Sequence, residues 1–271
     1  MSAQQTEAQK QRTIADFGEQ WTIYTGNDGF YASQELWRDI LGPLVPVEEI
    51  AGRHALDIGS GTGRIVMMLL EAGAAQVTAV EPSAASAVLQ QNVAEYGDKV
   101  QILTCAGDEL PEGLTVDFAC SIGVLHHIPN PAPVVQAVAH SLAPGGRFAV
   151  WLYGHEGNEL YLAVVKPLRK ITKRLPHRLL AGLVWAIYAP LVAYHWLCRW
   201  LDLPLKDYLQ NVLFRMAPDK RRLVIYDQLN PAYAKYYTRA EAEALLANNG
   251  FTNVRLHHRR GYSWTVVGEK R

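Results

Sequence analysis

Cysteine is scarce in this chain of 271 residues, which contains Cys105, Cys120 and Cys198 and no further copies. Their spacing matches no metal-binding pattern, and two of them fall in or beside predicted buried strands, where cysteine behaves as a small hydrophobic residue. We therefore expect reduced thiols within the core and no metal site.

The chain also lacks a net charge and an N-terminal apolar run. It has 26 acidic and 26 basic residues, so no overall field attracts a polyanion, and this balance disfavours a nucleic-acid partner. Residues 1–12 are polar and rich in glutamine, unlike a signal peptide, so we expect a cytoplasmic protein. The length favours one large core with an insertion.

The most informative motif that is present is a glycine-rich run, Leu56–Gly63, at the end of an apolar stretch. Alternate glycines allow a sharp turn from strand to helix and leave no Cβ between the main chain and a ligand. The spacing differs from the Gly-x-Gly-x-x-Gly of dinucleotide enzymes and is weak evidence alone. A carboxylate before the glycines, Asp57, and a second after the next strand, Glu81, suit a nucleoside that carries a cation. This combination favours S-adenosylmethionine.

Three more predicted strands support this interpretation. Residues 77–80 form a buried strand before Glu81, where a carboxylate can accept both ribose hydroxyls. Residues 100–103 precede Gly107 and Asp108, which are positioned for an adenine amino group. Residues 116–120 lead into Ser121, Ile122, Gly123 and then a Leu-His-His-Ile run.

This series resembles the class I S-adenosylmethionine-dependent methyltransferases, especially the small-molecule type 11/12-like group. The resemblance covers about residues 50–152 and returns at Glu241–Phe251. It implies an α/β fold with a Rossmann-like seven-stranded sheet whose last pair of strands closes an antiparallel edge. The corresponding division is an N-terminal helical lid (1–50), a cofactor-binding core (51–153), a helical insertion (154–237) and a final helix with two strands (238–271).

The motif positions and the resemblance together indicate the cofactor-binding residues. These are Asp57, Gly59, Ser60, Gly61, Gly63, Glu81, Pro82, Gly107, Asp108, Ser121, Ile122 and Gly123.

Candidates for catalysis are His126, His127 and Asp227. The histidines follow the fourth strand at the sheet edge where ligands bind, and an imidazole titrates in a useful range. The same pair occurs across similar enzymes with unlike substrates, so a structural role is an equal alternative. Asp227 lies in a run, Tyr226–Tyr237, whose Asp-x-x-x-Pro-x-Tyr pattern (Pro231) resembles a segment of other methyltransferases. Candidates for substrate contact are Trp21, Tyr24, Tyr153, His155, Tyr226 and Tyr233.

The N-terminal segment has an aromatic face. Phe17, Trp21 and Tyr24 recur at helical spacing, which predicts a helix packed on the sheet or a lid over cofactor and substrate.

The insertion contains a long run without charge, Leu179–Cys198. Its length would permit a membrane span. Pro190 and Gly182 interrupt it, however, and a single span would separate two halves of one sheet. One interpretation is a helical hairpin, broken near Pro190, whose apolar faces cover the substrate cleft.

The alternative is an interfacial segment with peripheral membrane contact through residues 166–200, at the inner face of a membrane. Its aromatic residues, at the headgroup level, would be Trp185, Tyr188, Trp196 and Trp200. Its basic flank, which would bind anionic lipid, is Lys166, Arg169, Lys170, Lys173, Arg174 and Arg178. A solvated face or an anionic substrate site would also explain the flank.

We therefore expect methyl transfer from S-adenosylmethionine to a small, hydroxylated, apolar or lipid-linked metabolite. Oxygen is the favoured acceptor atom, and carbon and nitrogen remain open. No metal is required, because a sulfonium is already a strong electrophile. The alternatives are transfer of an amino or carboxypropyl group, and cofactor binding without catalysis. A homodimer is compatible with the exposed aromatic residues of the N-terminal segment.

Overall fold

The computed structural model describes residues 3–172, 175–230 and 233–271. Its centre is a seven-stranded sheet in the order β3-β2-β1-β4-β5-β7-β6. Strands β1 to β5 pair in parallel, whereas β7 is antiparallel to both β5 and β6. The predicted sheet and its antiparallel edge are confirmed. The strands are β1 His54–Ile58, β2 Gln76–Val80, β3 Val100–Leu103, β4 Val116–Ile122, β5 Leu142–Tyr153, β6 Phe251–Arg259 and β7 Ser263–Lys270.

The α-helices alternate with the strands in the core and form a continuous block in the insertion. The core helices are α1 Ala3–Ile23, α2 Gln34–Leu41, α3 Arg64–Glu71, α4 Ser86–Asn92, α5 Ala132–Ser141 and α10 Arg239–Ala247. The insertion helices are α6 Glu159–Thr172, α7 His177–Leu197, α8 Lys206–Asn211 and α9 Pro218–Leu229. Thr238 and Glu241 form a capping box at the start of α10.

Two apolar layers cover the two faces of the sheet, because successive side chains of a strand point in opposite directions. Phe148 and Val150 of β5 pack with α5 and α10 on one face. Ala149, between them, belongs to the other layer, with α2 and α3. Both faces of the central strands are therefore buried, as is typical of parallel sheets.

The three cysteines are free thiols, with Cys120 and Cys198 buried and Cys105 partly buried. Within residues 3–172, 175–230 and 233–271, no three His, Cys, Asp or Glu side chains are grouped as a metal site would require.

The insertion has its own apolar core between α6, α7 and α9, formed by residues such as Leu162, Val184 and Leu229. The expected break near Pro190 is wrong, because α7 runs without interruption from His177 to Leu197. Proline removes the hydrogen bond to the carbonyl four residues earlier. Pro190 and Ala186 are both exposed, so the released carbonyl lies on an exposed side of the helix instead of in the protein core.

Candidate active site

The glycine-rich loop joins β1 to α3 at the carboxyl edge of the sheet. Gly59, Gly61 and Gly63 all have positive φ angles, of 77°, 53° and 89°. A Cβ on Gly59 would lie 2.6 Å from Val124, and one on Gly63 would lie 2.7 Å from Leu89. Only glycine fits these positions, so the sequence pattern reflects a tight backbone cradle.

Glu81 is fixed by this cradle. The Gly61 N–H donates to its Oε2 at 2.8 Å, and the Ser83 N–H donates to its Oε1 at 3.0 Å. The side chain is buried, with 6% of the residue exposed, and it borders the cavity described next. Backbone donors thus hold this carboxylate where the sequence predicts a ribose ligand.

A cavity of about 400 Å³ lies above this edge of the sheet. Its lining includes these predicted cofactor residues: Gly59, Ser60, Gly61, Glu81, Pro82, Gly107, Asp108, Ile122 and Gly123. Helix α1 forms one wall through Lys10, Phe17 and Trp21. The Lys10 ammonium lies 2.8 Å from both carboxylate oxygens of Asp108, so α1 is linked directly to the adenine end of the expected site.

Three predicted cofactor residues lie behind the lining instead of on it: Asp57, Gly63 and Ser121. The Ser121 hydroxyl donates to the Ile58 carbonyl at 3.3 Å. Asp57 is buried, and its Oδ1 accepts a hydrogen bond from the Cys120 thiol at 3.5 Å. Asp57 Oδ2 has no hydrogen-bond partner within the described part of the chain, and burial raises the pKa of the carboxyl to about 7. A positive group nearby would stabilise the charged form, so this carboxyl fits the cationic end of S-adenosylmethionine.

The acceptor side of the cavity is aromatic and contains a hydrogen-bond network around Gln228. Tyr161 and Tyr236 both donate to Gln228 Oε1, at 2.7 and 3.2 Å. Gln228 Nε2 donates to the Tyr153 hydroxyl at 2.9 Å. Arg169 donates to the Tyr236 hydroxyl at 3.1 Å. The hydroxyl hydrogens of Tyr161 and Tyr236 point into this network, so these two rings offer mainly flat apolar surface to a ligand.

Asp227 lies beside this network on α9 and also borders the cavity. Its Oδ1 accepts a hydrogen bond from Gln20 of α1. Burial raises the pKa of the Asp227 carboxyl to about 7, against the opposing effects of Gln20 and Arg64. The carboxyl therefore changes charge near neutral pH.

The two histidines differ in position. His127 borders the cavity, whereas His126 is completely buried outside it, with its ring 3.8 Å from that of Tyr153. His127 Nδ1 lies 2.9 Å from the Tyr233 carbonyl, and a carbonyl can only accept, so Nδ1 carries the hydrogen. Burial lowers the pKa of His127 to about 4 and that of His126 well below its usual range. Both imidazoles are neutral at physiological pH.

The predicted substrate residues divide between the cavity and its surroundings. Trp21 and Tyr153 line it. Tyr24 and Tyr226 pack on each other outside it, with ring centres 6.1 Å apart. His155 and Tyr233 also lie outside the lining; the His155 N–H donates to the Tyr237 carbonyl at 2.8 Å. Pro231 lies outside the described residues.

Several cavity residues are absent from the predicted site residues, including Arg64, Tyr161, Gln228 and Tyr236. The helical phase of α9 is the signal that could have identified Gln228. Val224, Asp227 and Gln228 line the cavity at i, i+3 and i+4, whereas Tyr226 lies on another face. Arg169, which we expected in a basic flank, is buried and donates to the Gln228 carbonyl at 2.9 Å.

Comparisons with known proteins identify the family of this chain. Residues 56–148 match the family model described as a methyltransferase domain. The ubiquinone biosynthesis O-methyltransferase of Burkholderia ambifaria is 30% identical over 169 residues, which cover 60% of this chain and 70% of that protein. The tRNA U34 carboxymethyltransferase of Idiomarina loihiensis is 28% identical over 118 residues, or 42% of this chain. That match spans only 36% of the relative's own length.

The fold agrees with a solved structure as well. Magnesium protoporphyrin IX methyltransferase from Synechocystis PCC 6803, with bound SAH, has a TM-score of 0.54 and 18% identity. The match covers 93% of this chain and 94% of that one. The cofactor of the present chain is S-adenosylmethionine, which its glycine cradle and fixed Glu81 fit. The chain belongs to the class I S-adenosylmethionine-dependent methyltransferases.

Proposed function

We propose that this enzyme methylates an oxygen of a small hydroxylated molecule with an apolar body, and that Asp227 is the general base. The observation that carries the proposal is a buried carboxyl, with its pKa raised to about 7, on the wall of the cavity that the cofactor residues also line.

The lining supports the class of acceptor. Tyr153, Tyr161 and Tyr236 form hydrogen bonds mainly within their own network with Gln228. Their rings, together with Trp151 and Tyr208, leave a largely aromatic surface around the cavity. Such a surface favours a flat or apolar molecule with few polar groups. An acceptor hydroxyl next to Asp227 would find a proton acceptor in otherwise apolar surroundings.

The pKa values favour Asp227 over His127 as the base. A general base works best when its pKa lies near the operating pH. The Asp227 pKa of about 7 meets this condition, whereas His127, at about 4, is a weak proton acceptor. His127 can still accept a hydrogen bond through Nε2, since Nδ1 donates to the Tyr233 carbonyl. We assign it a role in orienting the acceptor.

The other residues bind and orient. The bound cofactor supplies an electrophilic methyl group on a sulfonium. Glu81 and Asp108 would hold its nucleoside, and the buried Asp57 would stabilise its cationic end. Helix α1 forms one wall of the cavity through Lys10, Phe17 and Trp21, and so shields one side of it from solvent. Fixing the two reactants in this way can account for a large share of the rate.

The test uses purified protein, methyl-labelled S-adenosylmethionine and a cell extract that is then separated into lipid, aqueous, protein and RNA fractions. We expect label in the organic-extractable fraction, and much less of it with Asp227→Asn. Asp98→Asn is the matched control, because Asp98 is exposed and does not line the cavity. Label confined to RNA would overturn the proposal and support an activity like that named for the tRNA-modifying relatives.

A further inference from the structure

We propose that the exposed side of α6, α7 and the turn after α7 docks on an anionic lipid bilayer. We call this surface the outer face. It consists of Leu160, Val164, Ile171, Leu179, Trp185, Val192, Trp196, Leu197, Trp200 and Leu201, which are all exposed.

The first observation is an apolar helix that the protein leaves uncovered. Helix α7 is long and apolar enough to cross a membrane, by length and composition alone, yet only 17% of its most apolar window is buried. Its inner side packs Val184 and Tyr188 against α9. On its outer side Trp196 is 57% exposed, and Trp200 just beyond it is 75% exposed. A helix that is apolar all round is normally enclosed by protein or lipid, and a patch of this kind marks an interaction site.

The second observation is charge, which identifies the partner as an anionic surface. Residues 160–201 contain seven lysine and arginine residues and no aspartate or glutamate. The whole chain, by contrast, has equal numbers of acidic and basic residues. Lys166, Lys170, Arg178 and Arg199 are exposed. Arg169 is turned inward, and Lys173 and Arg174 lie outside the described residues. Exposed tryptophans beside basic side chains match the interfacial region of a bilayer that contains anionic lipid.

The topology requires α7 to lie along the surface. Strand β5 precedes the insertion and pairs with β7, which follows it. Both ends of the insertion therefore belong to one sheet and stay on the same side of a membrane. An interfacial helix in the plane of the bilayer satisfies this constraint, and a spanning helix does not.

The outer face also adjoins one end of the cavity. Leu205, four residues after Leu201, is 49% exposed and lines the cavity together with Tyr208. Its backbone is left-handed, with φ of 63°, which is uncommon for leucine. An opening at this point would admit an apolar acceptor from the bilayer. This entry role rests on the proposed function, whereas the docking does not.

The experiment is co-sedimentation of the intact protein with vesicles. The vesicles contain phosphatidylcholine alone or mixed with phosphatidylglycerol. We expect binding to the mixed vesicles that weakens with added salt. We test two double variants, Trp196→Ser with Trp200→Ser and Lys166→Glu with Lys170→Glu. The affinity of each for the mixed vesicles should fall at least about tenfold. The matched controls are Ile23→Ser and Lys99→Glu, which should bind the vesicles as the wild type does. Ile23 is an exposed apolar side chain on α1, and Lys99 is an exposed lysine outside the insertion.

Binding of S-adenosylmethionine by every variant separates docking from catalysis and confirms folding. Variants that bind the cofactor normally but lose the vesicles support the proposal, whether or not an acceptor is methylated. Equal binding to both vesicle types, or no binding to either, would overturn it. A third result would also overturn the proposal: the wild-type protein is a dimer in sedimentation velocity, the double tryptophan variant is a monomer, and neither binds vesicles. A second copy of the chain would then cover the outer face.

Discussion

Replacing Asp227 by asparagine should lower activity and raise stability at the same time. The side chain borders the cavity and accepts a hydrogen bond from Gln20. An amide keeps the shape and can still accept from Gln20 through its oxygen, but it cannot take a proton from a substrate hydroxyl. General base catalysis typically contributes about 10²- to 10⁴-fold, so we expect kcat to fall within that range.

The stability effect follows from the raised pKa. An unfolded aspartate titrates near 3.9, whereas burial holds the pKa of folded Asp227 at about 7. Between these values the folded protein keeps a proton that the unfolded chain releases. The free energy of unfolding therefore falls as pH rises from about 4 to 7 and then levels off. Three pKa units correspond to about 4 kcal/mol, which is an upper bound for the gain that asparagine gives above pH 7.

Two assays test the role of Asp227. Denaturant unfolding at pH 5 and pH 8 should show a larger gain for Asp227→Asn at pH 8, with no such change for the exposed control Asp98→Asn. The kcat of the wild type should rise with pH around pH 7, and the kcat of Asp227→Asn should not show this rise. Activity near the wild-type level, or an unchanged pH profile, would refute Asp227 as the base.

Three further predictions concern the cofactor site. Glu81→Gln should weaken S-adenosylmethionine binding about 10- to 100-fold in calorimetry, since a charged hydrogen bond contributes about 1.5–3 kcal/mol; the exposed Glu243→Gln should not, and equal losses would contradict the role of Glu81. Gly63→Ala should destabilise the fold by about 1–3 kcal/mol in thermal unfolding, because φ is 89° and the new Cβ would lie 2.7 Å from Leu89. Gly113→Ala, where φ is 82° but the space is open, should cost less, and the reverse order would argue against a tight cradle. Lys10→Met should speed cofactor release several-fold in stopped-flow measurements, because it removes the part-exposed ion pair between α1 and Asp108. Arg12→Met is the control. Identical release rates for the two variants would show that this ion pair does not retain the cofactor.

The features predictable from the sequence are those that short-range patterns determine. Alternate glycines impose the turn after β1. Glu81 and Asp108 each follow a predicted strand, so both carboxylates lie at one edge of a parallel sheet. The capping box at Thr238 likewise depends on residues only three apart.

The rest depends on long-range packing. Asp57 lies behind the cavity lining, where it contacts Cys120, which is 63 residues away in sequence. The inward turn of Arg169 depends on the Gln228 carbonyl and on Tyr236. Continuity of α7 through Pro190 depends on which side of the helix is exposed. In the Tyr226–Tyr237 run, the phase of α9 decides that Gln228 reaches the cavity and Tyr226 does not.

The most direct test of the proposed activity is the chemical position of the transferred carbon. The protein would be incubated with [methyl-¹³C]S-adenosylmethionine and a cell extract, and the labelled product examined by NMR and mass spectrometry. We expect one added methyl group, bonded to oxygen, in an organic-extractable small molecule. A methyl on nitrogen or carbon, a larger transferred group, or label in RNA would contradict it.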